Sequence, residues 1–230
     1  MYKFRKSDLY FKRGLDILIS VTLLLLLIPL FIVISLFLKI DSRGPIFFKQ
    51  ARLSLNGKEF MILKFRTMIV NAEKTGAGLF NYSNDPRVTR FGHFLRNTSL
   101  DELPQLINVI KGDMSLVGPR PCVTYELGDY ETLNRRYKRR FSVLPGITGY
   151  AQIKGRNEIT WDEKVNLDNE YIDLFIKRGI LIDLIILVKT FSSVFKRNSI
   201  YEDKIPGIID DQESAQMQEI EIIRRAHQEE

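Results

Sequence analysis

Two adjacent carboxylates, Asp101 and Glu102, mark the part of the chain best suited to chemistry. Local patterns place both at the start of a helix, where free N–H groups and the positive end of the helix dipole favour anions. Three cations lie close by in sequence, at Arg96, Lys111 and Arg120. Paired carboxylates beside fixed cations predict a site for a doubly anionic phosphate substrate.

The helix start itself is predicted from hydroxyl and proline positions. Thr98 and Ser99 each precede a carboxylate by three residues, so two overlapping capping boxes are predicted. Pro104 is tolerated only in a first turn, which places the helix start between residues 101 and 103. The simpler interpretation is that the two carboxylates only cap the helix and have no catalytic role, because this pattern is common at helix starts.

Composition narrows the classes of protein and of site. The chain has 230 residues, 45% of them apolar, which is enough for one domain with appendages. Its single cysteine, Cys122, excludes an internal disulfide and a cysteine-rich zinc site, and we expect a buried, inert thiol. With only two histidines, His93 and His227, catalysis should fall to carboxylates and cations.

A membrane segment is predicted near the N terminus. Residues 17–38 are 22 consecutive positions without a charge, long enough to enter or cross a bilayer, and no signal-peptide cleavage pattern follows them. Basic residues flank both ends, which defeats the charge asymmetry of a spanning helix, and Pro29 should bend the helix. The sequence therefore predicts a kinked, re-entrant helix with both ends on the cytoplasmic face, and a single-pass anchor is the alternative.

A β-hairpin is predicted after the membrane segment. Residues 46–55 and 58–66 flank Asn56–Gly57, the strongest short hairpin signal. Side chains alternate along a strand, so Lys64 and Arg66 should point to the same face. Paired cations on a strand are commonly just exposed, which is the simpler interpretation.

The C-terminal half adds a glycine-rich stretch and two helices. Residues 145–156 contain Gln152 and Arg156, which could bind a polar ligand, although such stretches are most often turns. Thr160–Glu163 repeats the capping-box pattern and opens a helix. Residues 180–195 are apolar but interrupted by charges, which indicates a helix at the membrane interface or in the core.

Charge is distributed unevenly along the chain. Residues 201–230 hold nine acidic and three basic residues, a net charge of −6. Since the whole chain has a formal charge of +6, residues 1–200 carry +12. A basic body beside an apolar segment suits an anionic lipid surface. The basic cluster Arg135–Arg140 lacks any accompanying nucleic-acid motif, so we expect no nucleic-acid partner and interpret the cluster as a solvated helix face.

Taken in order, these motifs resemble the bacterial sugar transferases, the small monotopic phosphoglycosyl transferases also described as polyprenyl-phosphate glycosyl-1-phosphate transferases. The resemblance covers roughly residues 10–200. The residues that carry it are Lys12, Arg13, Asp16, Gly44–Pro45, Gln50, Lys64–Met68, Asp85–Pro86, Arg90–Gly92, Ser99–Gln105, Asn108, Lys111–Pro121, Pro145–Gly149 and Gly155–Arg156. One departure is Ile28–Pro29, where some relatives carry a Ser-Pro pair.

The resemblance implies transfer of a sugar 1-phosphate from a UDP-sugar to undecaprenyl phosphate, with UMP released and Mg²⁺ required. This would be the initiating step of exopolysaccharide, capsule, O-antigen or glycoprotein glycan synthesis. It assigns Asp101 as the covalent nucleophile and Glu102 as a metal ligand, and both roles are chemically reasonable for carboxylates. The residues we expect around the substrate are Lys64, Arg66, Arg96, Arg120, Gln152 and Arg156. The alternatives are a glycosyltransferase that releases UDP and a non-catalytic membrane adaptor.

The expected fold is α+β and mostly helical, with a re-entrant membrane helix kinked at Pro29, a β-hairpin, and a small cytoplasmic catalytic domain with interfacial amphipathic helices. We divide the chain into a membrane segment (1–40), a catalytic domain (41–200) and an acidic tail (201–230). The expected location is the cytoplasmic face of the bacterial inner membrane. Membrane lipids, a second copy of the chain and downstream glycosyltransferases are the expected further partners.

Overall fold

The computed structural model describes residues 4–72, 85–124, 126–155 and 159–195, so the acidic tail and Arg156 lie outside the described residues. The helices are α1 (Lys6–Asp41), α2 (Arg90–Asn97), α3 (Gln105–Lys111), α4 (Arg135–Arg139), α5 (Tyr150–Lys154), α6 (Trp161–Arg178) and α7 (Leu181–Phe195). The strands are β1 (Phe47–Leu53), β2 (Glu59–Phe65), β3 (Ser115–Val117) and β4 (Gly146–Thr148). The part of the chain described is therefore mostly helical, with two small sheets.

Strands β1 and β2 form the predicted antiparallel hairpin, with Phe47 opposite Phe65 and Leu53 opposite Glu59. At the turn, Asn56 has φ 56° and Gly57 has φ 75°. These are the positive φ angles that a tight hairpin turn requires and that asparagine and glycine tolerate best. The hairpin prediction is confirmed.

The predicted start of α3 is wrong. Ser99 adopts a left-handed conformation with φ 56°, Leu100–Glu102 form a short 3₁₀ turn, and α3 begins only after Pro104. Thr98 ends α2 with φ −100° and ψ −2°, which is not the extended conformation of an N-cap, and its hydroxyl donates back to the Phe94 carbonyl at 2.8 Å. Neither capping box forms, and the carboxylates lie in the turn between α2 and α3.

The glycine-rich stretch is mostly buried backbone. Gly146–Thr148 pairs in parallel with β3, and Val117 lies opposite Thr148. A Cβ atom at Gly146 would overlap the backbone of Gly118, so the two strands approach this closely only because glycine occupies both positions. The stretch therefore closes a sheet rather than forming an open ligand loop.

Helix α1 runs without interruption through Pro29. Its 36 residues extend for about 54 Å at the normal helical rise. Among the described residues it is the one helix long and apolar enough to cross a membrane, and only 11% of its most apolar window is buried. Some relatives carry a serine before Pro29, where this chain has Ile28. The hydroxyls of Thr22 and Ser35 do not take its place, because they donate to the carbonyls of Leu18 and Phe31.

One face of α1 belongs to the protein core along most of its length. Near its start, the Asp16 carboxylate accepts from the Ser115 hydroxyl at 2.7 Å, and near its end Ile34 and Leu38 are fully buried. The other face exposes large apolar side chains, among them Leu18, Leu25, Leu26, Ile28, Ile32, Val33, Leu36, Phe37 and Ile40. The helix therefore lies against the body rather than projecting from it.

Buried ionic contacts fix the beginning of α1. Lys12 donates to Asp183 of α7 at 2.5 Å and to the Val117 carbonyl of β3 at 2.9 Å, and Asp183 also accepts from the Tyr171 hydroxyl at 2.9 Å. Buried charges are tolerated only when paired and hydrogen-bonded in this way. Lys12 thus works inside the domain and is more than a basic flank of the apolar segment.

Helices α6 and α7 cover the other side of the core. Thr160 and Glu163 form the predicted capping box at the start of α6, which is confirmed. In α7, Ile182 and Ile186 are buried, whereas Leu181, Leu184 and Val188 are exposed. The interpretation of α7 as a core helix is confirmed for one face, and its other face exposes an apolar stripe.

Candidate active site

Two separate segments converge on the carboxylate of Glu102. Lys64, at the end of β2, donates to its Oε1 at 2.7 Å, and Arg120, in the loop after β3, donates to the same oxygen at 2.7 Å. A second Arg120 nitrogen lies 3.5 Å from Oε2, so the guanidinium approaches both oxygens. Such forked arginine contacts are geometrically specific and strong.

These contacts keep Glu102 ionised. Burial by itself would raise the pKa of Glu102, but attraction to Arg120 and Lys64, with the hydrogen bonds from both, holds the pKa well below its usual range. Glu102 therefore carries a negative charge under all physiological conditions. That charge neutralises one of the two cations, so the cluster still has net positive charge for an anionic ligand.

Asp101 has the opposite environment. It is 9% exposed, and among the described residues no side chain donates a hydrogen bond to its carboxylate. Burial raises the pKa of Asp101 to about 6; Lys64 opposes this shift and Glu102 reinforces it. Asp101 is thus a mostly ionised carboxylate whose oxygens are not committed to a partner, which suits a nucleophile.

Arg96 approaches the pair from the last turn of α2. Its Nε donates to the Thr67 hydroxyl at 2.8 Å, and its charge lowers the pKa of Asp101. The backbone of Thr67 in turn accepts from the Thr89 amide at 3.0 Å, just before α2. Arg96 is therefore held by a segment that directly follows β2.

The structure brings together only part of the predicted set. Lys64, Arg96 and Arg120 surround the carboxylate pair, but Arg66 does not, because its guanidinium donates to carbonyls at the end of α1. The expectation that Arg66 shares a ligand-facing surface with Lys64 is wrong, because β2 ends at Phe65 and Arg66 is buried at 5% exposure. Gln152 makes no hydrogen bond to the carboxylate pair, and its Nε2 donates to the Ile147 carbonyl at 3.3 Å.

Asn108 is a positioning residue that sequence reasoning quoted only as part of a motif. Its Oδ1 accepts from the Leu63 amide at 2.9 Å, and its Nδ2 donates to the Met61 carbonyl at 2.8 Å. Asn108 is 1% exposed and bonds the edge of β2 to α3. It therefore fixes Lys64 relative to the turn that carries Glu102.

Arg140 supports Arg120 from behind. Its Nη2 donates to the Arg120 carbonyl at 2.7 Å, and its Nε donates to Asp168 of α6 at 3.0 Å. The interpretation of the whole basic cluster as a solvated face is wrong at Arg140, which is 3% exposed. Its neighbours Arg136 and Arg139 pair with acidic residues of α6, which the spacing along α4 alone does not reveal.

An apolar cavity of about 480 Å³ opens between α1, β1 and α3. Its lining includes Leu25 and Ile28 of α1, Phe47 of β1 and Ile107 of α3. Phe47 pairs with the residue that follows Lys64, and Ile107 lies in the helix directly after the carboxylate turn. The cavity is therefore lined by α1 and by near neighbours of the candidate site in the fold, although no residue of the site itself lines it.

The carboxylate pair suits a metal that is bound together with its substrate. No group of three or more His, Cys, Asp or Glu side chains comes together among the described residues. Mg²⁺ usually binds one or two carboxylates and completes its shell with substrate phosphates and water. The donor chemistry of Asp101 and Glu102 fits that mode and does not fit a site built by the protein alone.

A family model described as bacterial sugar transferase matches residues 7–197. The chain belongs to the bacterial sugar transferase family. The matched range runs from the start of α1 into the residues beyond α7, so α1 is a part of the family's domain and is not an unrelated anchor. It also contains every residue placed above in the candidate site.

Several curated relatives carry enzyme names. The chain is 39% identical over 197 residues to "Exopolysaccharide production protein ExoY" of Sinorhizobium fredii, a match that covers 80% of this chain and 84% of the relative. It is 36% identical over 211 residues to a "UDP-galactose-lipid carrier transferase" of Erwinia amylovora, covering 86% and 43%. It is 42% identical over 201 residues to an "Undecaprenyl-phosphate glucose phosphotransferase" of Komagataeibacter xylinus, covering 84% and 37%. The chain thus spans about two fifths of the length of the latter two relatives.

Proposed function

We propose that the protein transfers a sugar 1-phosphate from a UDP-sugar to undecaprenyl phosphate, as the initiating step of a bacterial surface glycan. The observation that carries the proposal is the asymmetry of the carboxylate pair. Glu102 is neutralised by two cations, whereas Asp101 beside it is buried and accepts no hydrogen bond from a side chain of the described residues. The family membership and the names of the relatives support the same reaction class.

In the first step, a carboxylate oxygen of Asp101 attacks the sugar-linked phosphorus of the UDP-sugar. A P–O bond to Asp101 forms as the P–O bond to UMP breaks, and UMP leaves with that electron pair. Lys64, Arg96 and Arg120 hold the phosphate oxygens, because phosphoryl transfer depends mainly on positioning and on fixed charges. The product of this step is an aspartyl phosphosugar.

In the second step, a phosphate oxygen of undecaprenyl phosphate attacks the same phosphorus. The bond to Asp101 breaks, which regenerates the free carboxylate and yields the lipid-linked sugar diphosphate. We propose that Glu102, with substrate oxygens, would hold Mg²⁺ here. The ion, when bound, would supply positive charge that offsets the repulsion between a diphosphate and two carboxylates.

The released nucleotide tests this function directly. Purified protein with undecaprenyl phosphate, Mg²⁺ and a panel of UDP-sugars should release UMP in proportion to the lipid-linked product. UDP release would indicate a glycosyltransferase, the alternative in which only the sugar moves. Absence of any turnover across the panel would favour a non-catalytic adaptor.

The apolar cavity supports a lipid acceptor. Its lining is almost wholly hydrocarbon, it includes Ile107 of the helix that follows the carboxylate turn, and the exposed apolar face of α1 borders it. We propose that it takes the first isoprene units of the acceptor, which would place the lipid phosphate beside the cations. Burial of apolar chain there is favourable, at about 25 cal/mol per Å².

Two adjacent leucines allow a matched test of the cavity. Leu25 lines it and Leu26 does not, although the two are similarly exposed at 64% and 70%. Leu25→Trp should fill the cavity and raise the KM for undecaprenyl phosphate by about 10-fold, a loss of about 1.4 kcal/mol in binding. Formation of the aspartyl phosphosugar, which needs no acceptor, should not change. An equal effect of Leu26→Trp would contradict the proposed lipid site.

The contacts of α1 support a re-entrant rather than a spanning helix. Lys12 and Asp16 near the start of α1 and Ile34 and Leu38 near its end all contact the same body. A helix that carried its start across the bilayer would have to give up one of these two sets of contacts. We propose that both ends and the catalytic residues lie on the cytoplasmic face of the inner membrane. Cysteines at the exposed positions Ser7 and Lys58, in a Cys122→Ser background, should both resist an impermeant thiol reagent added outside intact cells. Labelling of the Ser7 position alone would show a spanning helix.

A further inference from the structure

A short segment after β2 contacts both the catalytic cations and the membrane helix. Lys64 reaches Glu102 on one side, whereas Arg66 reaches α1 on the other. The intervening Phe65 is 1% exposed and packs in one cluster with Ile34 and Leu38 of α1. Consecutive residues of this segment therefore contact both the candidate active site and the C-terminal end of α1.

Arg66 caps the end of α1 across a long sequence separation. Its Nη2 donates to the Ser42 carbonyl at 2.8 Å and to the Leu38 carbonyl at 3.3 Å, and its Nη1 donates to the Arg43 carbonyl at 2.9 Å. The last carbonyls of a helix lack intrahelical partners and carry the negative end of the dipole. Of the three carbonyls, only that of Leu38 lies in the last turn of α1, where it also accepts from the Ser42 amide at 3.3 Å, and Ser42 and Arg43 directly follow the helix. The guanidinium therefore ties the chain that leaves α1 to the last turn of the helix.

Gly44 provides the space that this cap requires. It has φ +134°, and a Cβ atom there would overlap Nη1 of Arg66 and press on Val70. The glycine is thus needed for clearance as well as for backbone conformation. Two other glycines serve as references, because Gly128 has a positive φ with open space around it and Gly14 has open space without a positive φ.

We propose that Arg66 is a positioning residue that holds the catalytic Lys64 in register with the C-terminal end of the membrane helix. The segment is held at successive residues, because Phe65 packs against α1, Arg66 donates to carbonyls at the end of α1, and the Thr67 hydroxyl accepts from Arg96. The inference rests on the proposed function, since Lys64 matters only if phosphoryl transfer occurs at Asp101. It assigns Arg66 a role outside the substrate pocket.

Single-turnover loading of Asp101 from a UDP-sugar, without acceptor, separates positioning from stability. The burst amplitude counts folded active molecules, and the rate constant reports the geometry of each one. Arg66→Ala should lower the rate constant by about 100-fold, the loss expected from a displacement of about 1 Å. Its KM for the UDP-sugar should change far less, and Arg66→Lys should recover part of the rate.

The glycine series controls for folding. Gly44→Ala should lower the loading rate constant as Arg66→Ala does, because it displaces the guanidinium. Gly128→Ala introduces backbone strain without a clash, and Gly14→Ala introduces neither, so both should keep the wild-type rate constant. A purely structural role of Arg66 would appear as a smaller burst amplitude with an unchanged rate constant, and that result would overturn the proposal.

Hydrogen exchange gives a readout that does not depend on activity. Arg66→Ala should raise amide exchange in residues 62–66 and also at Glu102 and Leu103, whose amides donate to the Ser99 and Leu100 carbonyls within the 3₁₀ turn. Exchange that rises at the end of α1 but not in that turn would overturn the proposal. If the wild-type protein loads from no UDP-sugar, the proposed function fails, and this exchange pattern still decides whether the coupling exists.

Discussion

Replacing Asp101 by asparagine should abolish formation of the covalent phosphosugar and lower turnover by about 10⁴-fold or more, as expected for loss of a nucleophile. Wild-type protein given only a UDP-sugar and Mg²⁺ should gain the mass of one phosphosugar. Peptide mass spectrometry should place that mass on Asp101. The kinetics with both substrates should be ping-pong.

The same substitution should leave the fold intact. Burial raises the pKa of Asp101 to about 6, so the folded state binds a proton more tightly than the unfolded chain. The ionised carboxylate therefore opposes folding above that pH, and Asp101→Asn should not lower the Tm at pH 7.5. Arg135→Ala, at an exposed position of α4, is the control and should keep full turnover. Substantial product from folded Asp101→Asn would rule out the nucleophile assignment.

Glu102→Gln should give the second largest loss, a fall in turnover of about 10²- to 10³-fold. The amide keeps the shape of the side chain but removes the charge that Lys64 and Arg120 share. Both cations are then left without their acid, so the Tm should also fall. The Mg²⁺ concentration needed for half-maximal rate should rise, and a chelator should abolish wild-type activity.

Glu131→Gln is the matched control for this change. Glu131 pairs with Lys138 at 3.8 Å, and its side chain is 81% exposed. Ion pairs of this exposed kind contribute about 0–1 kcal/mol, so neither the rate nor the Tm should move appreciably. Wild-type activity in the presence of excess chelator would contradict the metal assignment and leave Glu102 with only its ionic contacts.

The features that could be predicted from sequence are those set by neighbouring residues. The Asn56–Gly57 hairpin and the Thr160–Glu163 capping box each depend on a few consecutive positions, and both are present. The carboxylate pair was found from its charges and motif membership. Burial of Cys122 followed from the ordinary behaviour of a lone cysteine.

The features that sequence reasoning missed depend on partners far along the chain. Arg66 is bound by carbonyls more than 20 residues away, and Asn108 bonds β2 from 45 residues away. Their spacing within a motif gives no hint of these partners. Thr98 shows the related error at short range, since a hydroxyl between two helices can serve either one, and here it bonds the preceding helix.

Soluble catalytic fragments are usually made by deleting a hydrophobic anchor. Here we expect that deletion to destabilise the fold, because α1 packs against the rest of the domain. Deletion through Asp41 would take Ile34 and Leu38 out of a buried cluster and leave Asp183 without the ammonium group of Lys12. The shortest fragment that folds must therefore retain α1. A water-soluble version has to be made by replacing exposed apolar residues of α1, such as Leu26 and Ile40, with polar residues, while the buried face is kept unchanged.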